Sequence, residues 1–332
     1  MFIFLILKLT SGYSEEVKLS SPPSELPVSV NISLYLWNLL DFSEKNENFR
    51  AEFYLESTWK DSRLAFQGKD EFLTFTDDGA VKKLEEIWWP AFDFINGIDL
   101  SYTNRILTIH PDGTVEYSIK VLGTFFTKMN LRKFPFDEQF LLIKIESSFW
   151  DSNILQFKAT PEEMGAINIE DFDGLHLVGI SAIVKDVTFS FTKHAFSDFT
   201  SIIQIKRSPS FFIYQTIIPL MIVFIITCCT FFLDVAELIS RLTLLQGCVL
   251  IAVATKFSVN NSLPEVDYFT GVDYIFFLFY LCCLIASFMS VVNYHLWKKK
   301  NPLGKSINEK AFWIFFILFI TLLVIFFFLM KR

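Results

Sequence analysis

The first 205 residues of this 332-residue chain contain no cysteine. A disulfide-stapled domain and a cysteine-ligated zinc site are therefore excluded from that half. The four histidines lack metal-ligand spacing, and the sequence has neither a glycine-rich phosphate loop nor a nucleophile-elbow serine. We therefore expect no enzyme, no metal and no cofactor. All five cysteines fall in the apolar remainder: Cys228, Cys229, Cys248, Cys282 and Cys283.

Basic residues are scarce in the first half and acidic residues in the second. Residues 1–205 carry 30 acidic side chains against 18 lysines and arginines, whereas residues 206–332 carry 6 against 11. An acidic half repels phosphate backbones, so no nucleic-acid partner is expected. The chain is 52% hydrophobic, with 40 Phe. This division predicts two domains, one of them in a lipid bilayer.

Four apolar stretches in the second half are each long enough to cross a hydrocarbon core. We name them M1 (211–233), M2 (238–259), M3 (271–297) and M4 (311–330). Five lysines in the loop 298–310 place that loop in the cytoplasm, so both termini lie on the other side of a cell (inner) membrane. Residues 1–16 lack a positive n-region and are interpreted as a signal remnant or a tail.

M2 differs from the other stretches because polar side chains are spread along it, which a lipid-facing helix does not tolerate. Steps of four and three residues place Thr243, Gly247, Leu250, Ala254, Phe257 and Asn261 on one face. This stripe is interpreted as a pore lining, with a buried bundle helix as an equal alternative. A pore interpretation requires a ring of subunits, since one helix cannot enclose a channel.

Residues 17–205 have the short alternating runs and turns of an all-β, immunoglobulin-like sandwich of about ten strands. The one helical candidate lies near residues 14–19. A transmembrane domain of four helices takes up residues 206–332.

Motifs of tryptophan, proline and charged residues accompany this architecture. They are Trp59-Lys60-Asp61 with Arg63-Leu64, Trp89-Pro90 with Asn96, Phe134-Pro135-Phe136-Asp137 with Gln139, and Arg207 before M1. In combination they resemble the pentameric ligand-gated ion channels, the Cys-loop receptor family, over nearly the whole chain. Thr127 and Leu141 stand where the loop disulfide would be. The resemblance is therefore to prokaryotic members, and short sequence segments are similar to those of amine-gated bacterial members.

The resemblance implies a homopentamer that a small-molecule agonist, such as a cationic amine, opens. By family position, Glu44, Asp137, Arg207 and Pro264 couple the two domains. Arg207 would lie between the two carboxylates, and the alternative is a plain structural salt bridge.

The resemblance also places an agonist pocket between neighbouring subunits. Aromatic faces suit a cation, and a carboxylate suits an ammonium group. The alternative is that the aromatic residues belong to the sandwich core. The candidate ligand-binding residues are Tyr35, Tyr54, Phe94, Glu146, Phe149, Phe189, Phe191, Phe196 and Phe199.

Charge at the inner end of M2 bears on the permeant ion, because a ring of carboxylates favours cations. Glu237 lies about one helical turn before Arg241, and the Pro-Ala pair typical of anion channels is missing. We expect monovalent cations to permeate, with Glu237 as the selectivity residue. The alternative function is a non-conducting, membrane-anchored sensor or adhesion protein.

Overall fold

The computed structural model describes residues 20–68, 71–160, 164–166, 174–188, 194–299 and 303–331. The prediction of a β-sandwich followed by apolar helices is confirmed, with eleven strands among the described residues. The helix expected near residues 14–19 and the signal remnant expected at 1–16 lie outside the described residues, as do Phe189 and Phe191.

The strands form two sheets. The seven-stranded sheet has the order β3-β5-β6-β2-β1-β8, with β9 paired to β1, and the four-stranded sheet has the order β10-β11-β7-β4. The bounds are β1 Val28–Ser43, β2 Asn48–Lys60, β3 Leu73–Thr76, β4 Phe92–Phe94, β5 Gly97–Ile109, β6 Thr114–Phe126, β7 Glu138–Ser147, β8 Leu155–Ala159, β9 Gly165–Ala166, β10 Leu175–Thr188 and β11 Ala195–Arg207.

One apolar core joins the sheets, because alternate side chains of each strand face inward. In β2 every inward position from Phe49 to Trp59 is buried. Asn96 connects the two sheets by hydrogen bonds. Its side-chain amide donates to the carbonyl of Phe126 in β6 and to that of Leu142 in β7, both at 2.8 Å. The motif asparagine therefore has a structural role in the described fold.

A helix, α1 (Asp77–Glu86), crosses the edge of the seven-stranded sheet and was not predicted. Its signals were present in the sequence. Asp77 and Asp78 in the first turn favour a helix start, and Ala80 and Leu84 are buried one turn apart on one face.

The membrane half closely follows the predicted stretches. M1 runs from Ser210 to Phe232 with a π-helical turn at Ile213–Ile217, M2 is Leu238–Asn260 and M3 is Gly271–Lys298. These three helices are long and apolar enough to cross a membrane.

M4 forms a fourth helix, Leu303–Lys331. It begins about two turns before residue 311, where the sequence predicted its start. The second half of the loop expected at 298–310 is therefore helical. The helix begins earlier than predicted because lysine and glutamate favour helix formation and extend M4 on the N-terminal side of its apolar part.

Candidate functional site

Arg207, the last residue of β11, lies at the junction between the sandwich and M1. Its Nη2 atom is 2.7 Å from an Oε1 of Glu44, and its Nε donates to Oδ1 of Asp137 at 3.0 Å. The guanidinium also lies over the ring of Phe134, 4.9 Å from its centroid, and 5.8 Å from that of Phe42. The side chain therefore joins the end of β1 and the β1–β2 turn, through Phe42 and Glu44, to the β6–β7 loop (residues 127–137), through Phe134 and Asp137.

The β6–β7 loop in turn contacts the membrane helices. The backbone N–H of Leu131 donates to the Tyr268 hydroxyl at 3.1 Å, and the Arg132 guanidinium lies 4.8 Å from the centroid of the Tyr268 ring. Phe134 packs edge-on against Phe212 of M1, with centroids 5.6 Å apart. A displacement of this loop would thus reach both M1 and the M2–M3 turn.

Tyr268 was not named from the sequence, which pointed to Pro264 in the same turn. Pro264 is half-buried there. A second unpredicted contact lies nearby, where Lys256 of M2 pairs with Asp273 of M3 at 3.0 Å. Thr270 and Asp273 form a capping box at the start of M3, a pattern that the sequence spacing could have revealed.

The six stripe residues of M2 are all exposed in the single subunit. Leu250 and Phe257 are 69% and 68% exposed. The buried face of M2 is formed by Arg241, Leu245, Cys248 and Ala252, which point to the opposite side of the helix. M2 therefore turns one face toward its own bundle and leaves the predicted stripe without a partner within the described subunit.

Arg241 points into the bundle near the N-terminal end of M2 and is fully buried. It donates to the backbone carbonyl of Leu233, and its Nη1 donates to Oδ1 of Asn308 on M4 at 3.0 Å. Glu237, by contrast, is exposed at the start of M2. Of Arg241 and Glu237, only Glu237 is therefore exposed at this end of the described subunit.

Glu146 of β7 lies on the outer face of the four-stranded sheet and is nevertheless only 7% exposed. Burial, followed by the neighbouring Asp198 carboxyl, raises the pKa of Glu146 above its usual range. Asp198 accepts a hydrogen bond from the Thr200 hydroxyl at 2.6 Å. Phe149 follows Glu146 by three residues in the chain, and its side chain is 74% exposed. Carboxylates suit an ammonium group, and an exposed aromatic face suits a cation.

The structure corrects two of the predicted ligand-binding residues. Phe94 packs in the core against Phe53 and Phe125, and Phe199 is fully buried in the same core. Adjacent residues of a strand face opposite sides of the sheet, so Asp93 and Asp198 face outward where their phenylalanine neighbours face inward. Phe196 is half-buried at the start of β11.

Tyr35 and Tyr54 lie side by side on the outer face of the other sheet. Lys120 is paired with Tyr54 across β2 and β6, and its ammonium lies 5.7 Å from the Tyr54 ring centroid. The same ammonium is 2.8 Å from a carboxylate oxygen of Glu52. One face of the Tyr54 ring therefore lies near a cation of its own chain. Within one subunit these tyrosines do not meet Glu146.

Comparison with known proteins decides the family. The sequence profile of the neurotransmitter-gated ion-channel ligand binding domain matches residues 4–209. The chain belongs to this family. Because that profile covers the whole described sandwich, both sheets belong to a ligand-binding domain.

Curated relatives extend the similarity into the membrane half. The chain is 24% identical to gamma-aminobutyric acid receptor subunit beta-4 of Gallus gallus over 297 residues, covering 87% of this chain and 58% of that protein. It is 26% identical to subunit theta of Mus musculus over 276 residues, covering 81% and 41%. The chain thus spans about half the length of these relatives.

The family is one of receptors and not of enzymes, as expected. Where a loop disulfide was expected to be absent, the Thr127 hydroxyl donates to the Phe140 carbonyl at 3.2 Å. All five cysteines are free thiols. The prokaryotic type suggested by the missing disulfide stays a prediction.

Proposed function

We propose that this chain is a subunit of a ligand-gated ion channel, in which an agonist bound between sandwich domains opens a pore lined by M2. The observation that carries the proposal is the exposed M2 stripe, because it leaves a helix with polar and small residues unpartnered beneath a domain of the neurotransmitter-gated family. Five copies around an axis would cover that face. We propose that the subunit lies in a cell (inner) membrane with the sandwich and both termini outside the cytoplasm.

The half-sites on the two sheets support an agonist site between subunits. One sheet carries Glu146, Asp198 and Phe149, the other carries Tyr35 and Tyr54, and neighbouring subunits would bring them face to face. The proposed agonist is a small molecule with an ammonium group. γ-Aminobutyric acid, the compound in the names of both relatives, also carries an ammonium group.

Currents from purified protein in a planar bilayer test the channel proposal. We expect unitary currents that a panel of short primary amines evokes. The competing function, a membrane-anchored sensor or adhesion protein, predicts amine binding without any current. Five-fold symmetry in projections along the membrane normal would test the assembly separately.

We expect the channel to select monovalent cations, because Glu237 is exposed at the inner end of M2 while Arg241 is directed into the bundle. In a NaCl gradient, the reversal potential should lie near the sodium equilibrium potential, and Glu237→Gln should move it toward zero. Asp234→Asn is the matched control, since Asp234 is bound to the backbone N–H of Ala236 in the preceding turn. A reversal potential near the chloride equilibrium potential would show that the channel selects anions. An unchanged reversal potential in Glu237→Gln would show that Glu237 does not determine selectivity.

Amine potency should fall with falling pH. A cation favours ionised Glu146, so binding must release the proton that the raised pKa retains. Apparent affinity should therefore rise with pH up to the raised pKa of Glu146 and level off above it. Glu146→Gln should remove this dependence and weaken amine binding by about 10- to 100-fold, the range for a hydrogen bond to a charged group.

Glu138→Gln provides the control for that experiment, because Glu138 lies exposed at the far end of the same strand, paired with Lys206. It should leave both potency and pH profile unchanged. If amine potency still depends on pH in Glu146→Gln, the group that titrates is not Glu146.

A further inference from the structure

Asn308, in the second turn of M4, lies at the centre of a polar cluster inside the apolar bundle. Its side-chain oxygen Oδ1 accepts hydrogen bonds from Nη1 of Arg241 at 3.0 Å and from Nδ2 of Asn293 at 3.2 Å. Its own Nδ2 donates to the backbone carbonyl of Phe231 at 2.7 Å. One side chain of M4 is therefore bonded to each of the other three helices, M1, M2 and M3.

Arg241 depends on this contact because its guanidinium has few other partners. The side chain is fully buried, its Nη2 donates to the backbone carbonyl of Leu233, and its Nε has no hydrogen-bond partner among the described residues. Both acceptors are neutral oxygens, and a buried charge is costly unless it is paired or well hydrogen-bonded. Loss of the Asn308 oxygen would therefore favour a guanidinium that leaves the bundle for water.

Water lies within reach of the Arg241 side chain. Arg241 is close to the N-terminal end of M2, and Glu237, four residues earlier, is exposed. A long arginine side chain can keep its stem in apolar surroundings while its guanidinium reaches water. Thr243, the first residue of the M2 stripe, lies about 200° around the helix from Arg241. The bonded guanidinium is thus directed away from the stripe, and a released one is free to turn toward it.

We propose that Asn308 is a positioning residue for ion selectivity, because it holds Arg241 inside the bundle and leaves Glu237 to set the charge at this end of M2. The inference rests on the proposed function, since it concerns the sign of the permeant ion. Release of Arg241 would add one positive charge per subunit beside the ring of carboxylates. Carboxylate rings favour cations and arginine rings favour anions, so this release would weaken or reverse the preference for sodium.

Reversal potentials of Asn308→Leu in a NaCl gradient test this inference. Leucine has a similar branched shape but no acceptor, so the reversal potential should move from near the sodium equilibrium potential to zero or beyond, toward that of chloride. Asn308→Asp keeps an oxygen acceptor for Arg241 and should reverse where the unmodified channel does. Thr321→Val is the matched control on M4, since the exposed Thr321 hydroxyl donates to the carbonyl of Ile317 in the same helix.

The double variant Asn308→Leu with Arg241→Gln distinguishes release of the charge from a distortion of M4. It has no guanidinium at this position, so it should select cations again. A distortion of the bundle would shift the reversal potential whether or not residue 241 is charged. Shifts of the same size in Asn308→Leu and in the double variant would therefore overturn the inference. An unchanged reversal potential in Asn308→Leu would overturn it as well.

Labelling with phenylglyoxal, which reacts with accessible guanidinium groups, tests the position of Arg241 without any current. We expect Arg241 to be labelled at least tenfold faster in Asn308→Leu than in the unmodified protein, as measured by mass spectrometry of its peptide. Arg50, exposed on the sandwich, is the internal reference and should be labelled equally in both. Equal rates at Arg241 in the two proteins would overturn the inference.

The two measurements separate this inference from the proposed function. If the unmodified protein passes no current under any amine, the channel proposal fails, and the labelling rate still decides whether Asn308 holds Arg241 in the bundle. If the unmodified protein conducts and selects cations but Asn308→Leu behaves identically, only the inference fails. Asn308→Ala, which adds no bulk, takes the place of Asn308→Leu in both measurements if that variant does not assemble.

Discussion

Arg207→Ala is expected to abolish amine-evoked current while leaving amine binding intact. Removal of the guanidinium leaves Asp137, which is almost fully buried, without its cation. The loss of one partner from such a buried pair costs about 3–5 kcal/mol. Because the coupling free energy between two sites is typically about 1–3 kcal/mol, a loss of this size at the junction is enough to uncouple them.

Lys206→Ala is the matched control for this variant. Lys206 precedes Arg207 on the same strand and pairs with Glu138, but both side chains are exposed. Exposed pairs contribute about 0–1 kcal/mol, so gating should be nearly normal. Amine titrations should give the same affinity for both variants and for the unmodified protein, since neither residue lies near Glu146.

A double-mutant cycle between Arg207 and Glu44 distinguishes coupling from a merely structural salt bridge. Glu44→Gln and Arg207→Lys, which keeps a positive charge and should keep a measurable current, should interact in the gating equilibrium, measured as the open fraction at saturating amine, by more than they do in thermal unfolding. A structural role predicts equal interaction in both measurements. If Arg207→Ala assembles and gates normally, the ion pairs of Arg207 with Glu44 and Asp137 do not couple the two domains.

Regular periodicity explains why the membrane half could be predicted from the sequence. An α-helix repeats every 3.6 residues whatever surrounds it, so the stripe from Thr243 to Asn261 follows from spacing alone. The structure places that stripe opposite the buried face of M2. The spacing of apolar residues could not predict where M4 begins. Polar residues that favour helix formation extend the helix before its apolar part, and they leave no apolar pattern.

The residues of the proposed agonist site were harder to predict, since a strand has two faces and the sequence does not say which one is covered. Phe94 and Phe199 differ by one position from outward-facing Asp93 and Asp198, and one position reverses the direction of a side chain. Lys120 was missed for a related reason. Its partners Glu52 and Tyr54 come from another strand, so the cluster depends on pairing register and not on local pattern.

Leu250→Thr should shift the resting channel toward the open state. A ring of five leucines at a narrow point repels water, and without water hydrated ions do not pass. Leu250 is the large apolar residue in the middle of the exposed M2 stripe. The threonine hydroxyl would wet the constriction, so we expect an amine dose response at least tenfold more sensitive, equivalent to about 1.4 kcal/mol, together with a resting leak.

Val253→Thr separates this effect from a general change in M2. Val253 is also exposed on M2 but lies off the stripe, so the same hydroxyl there should leave leak and potency within about twofold of the unmodified channel. If Leu250→Thr shows no leak and an unchanged dose response, Leu250 does not close the pore. The constriction would then be assigned to Phe257, the next large apolar residue toward the outer end of the stripe, and Phe257→Ser should produce the leak instead.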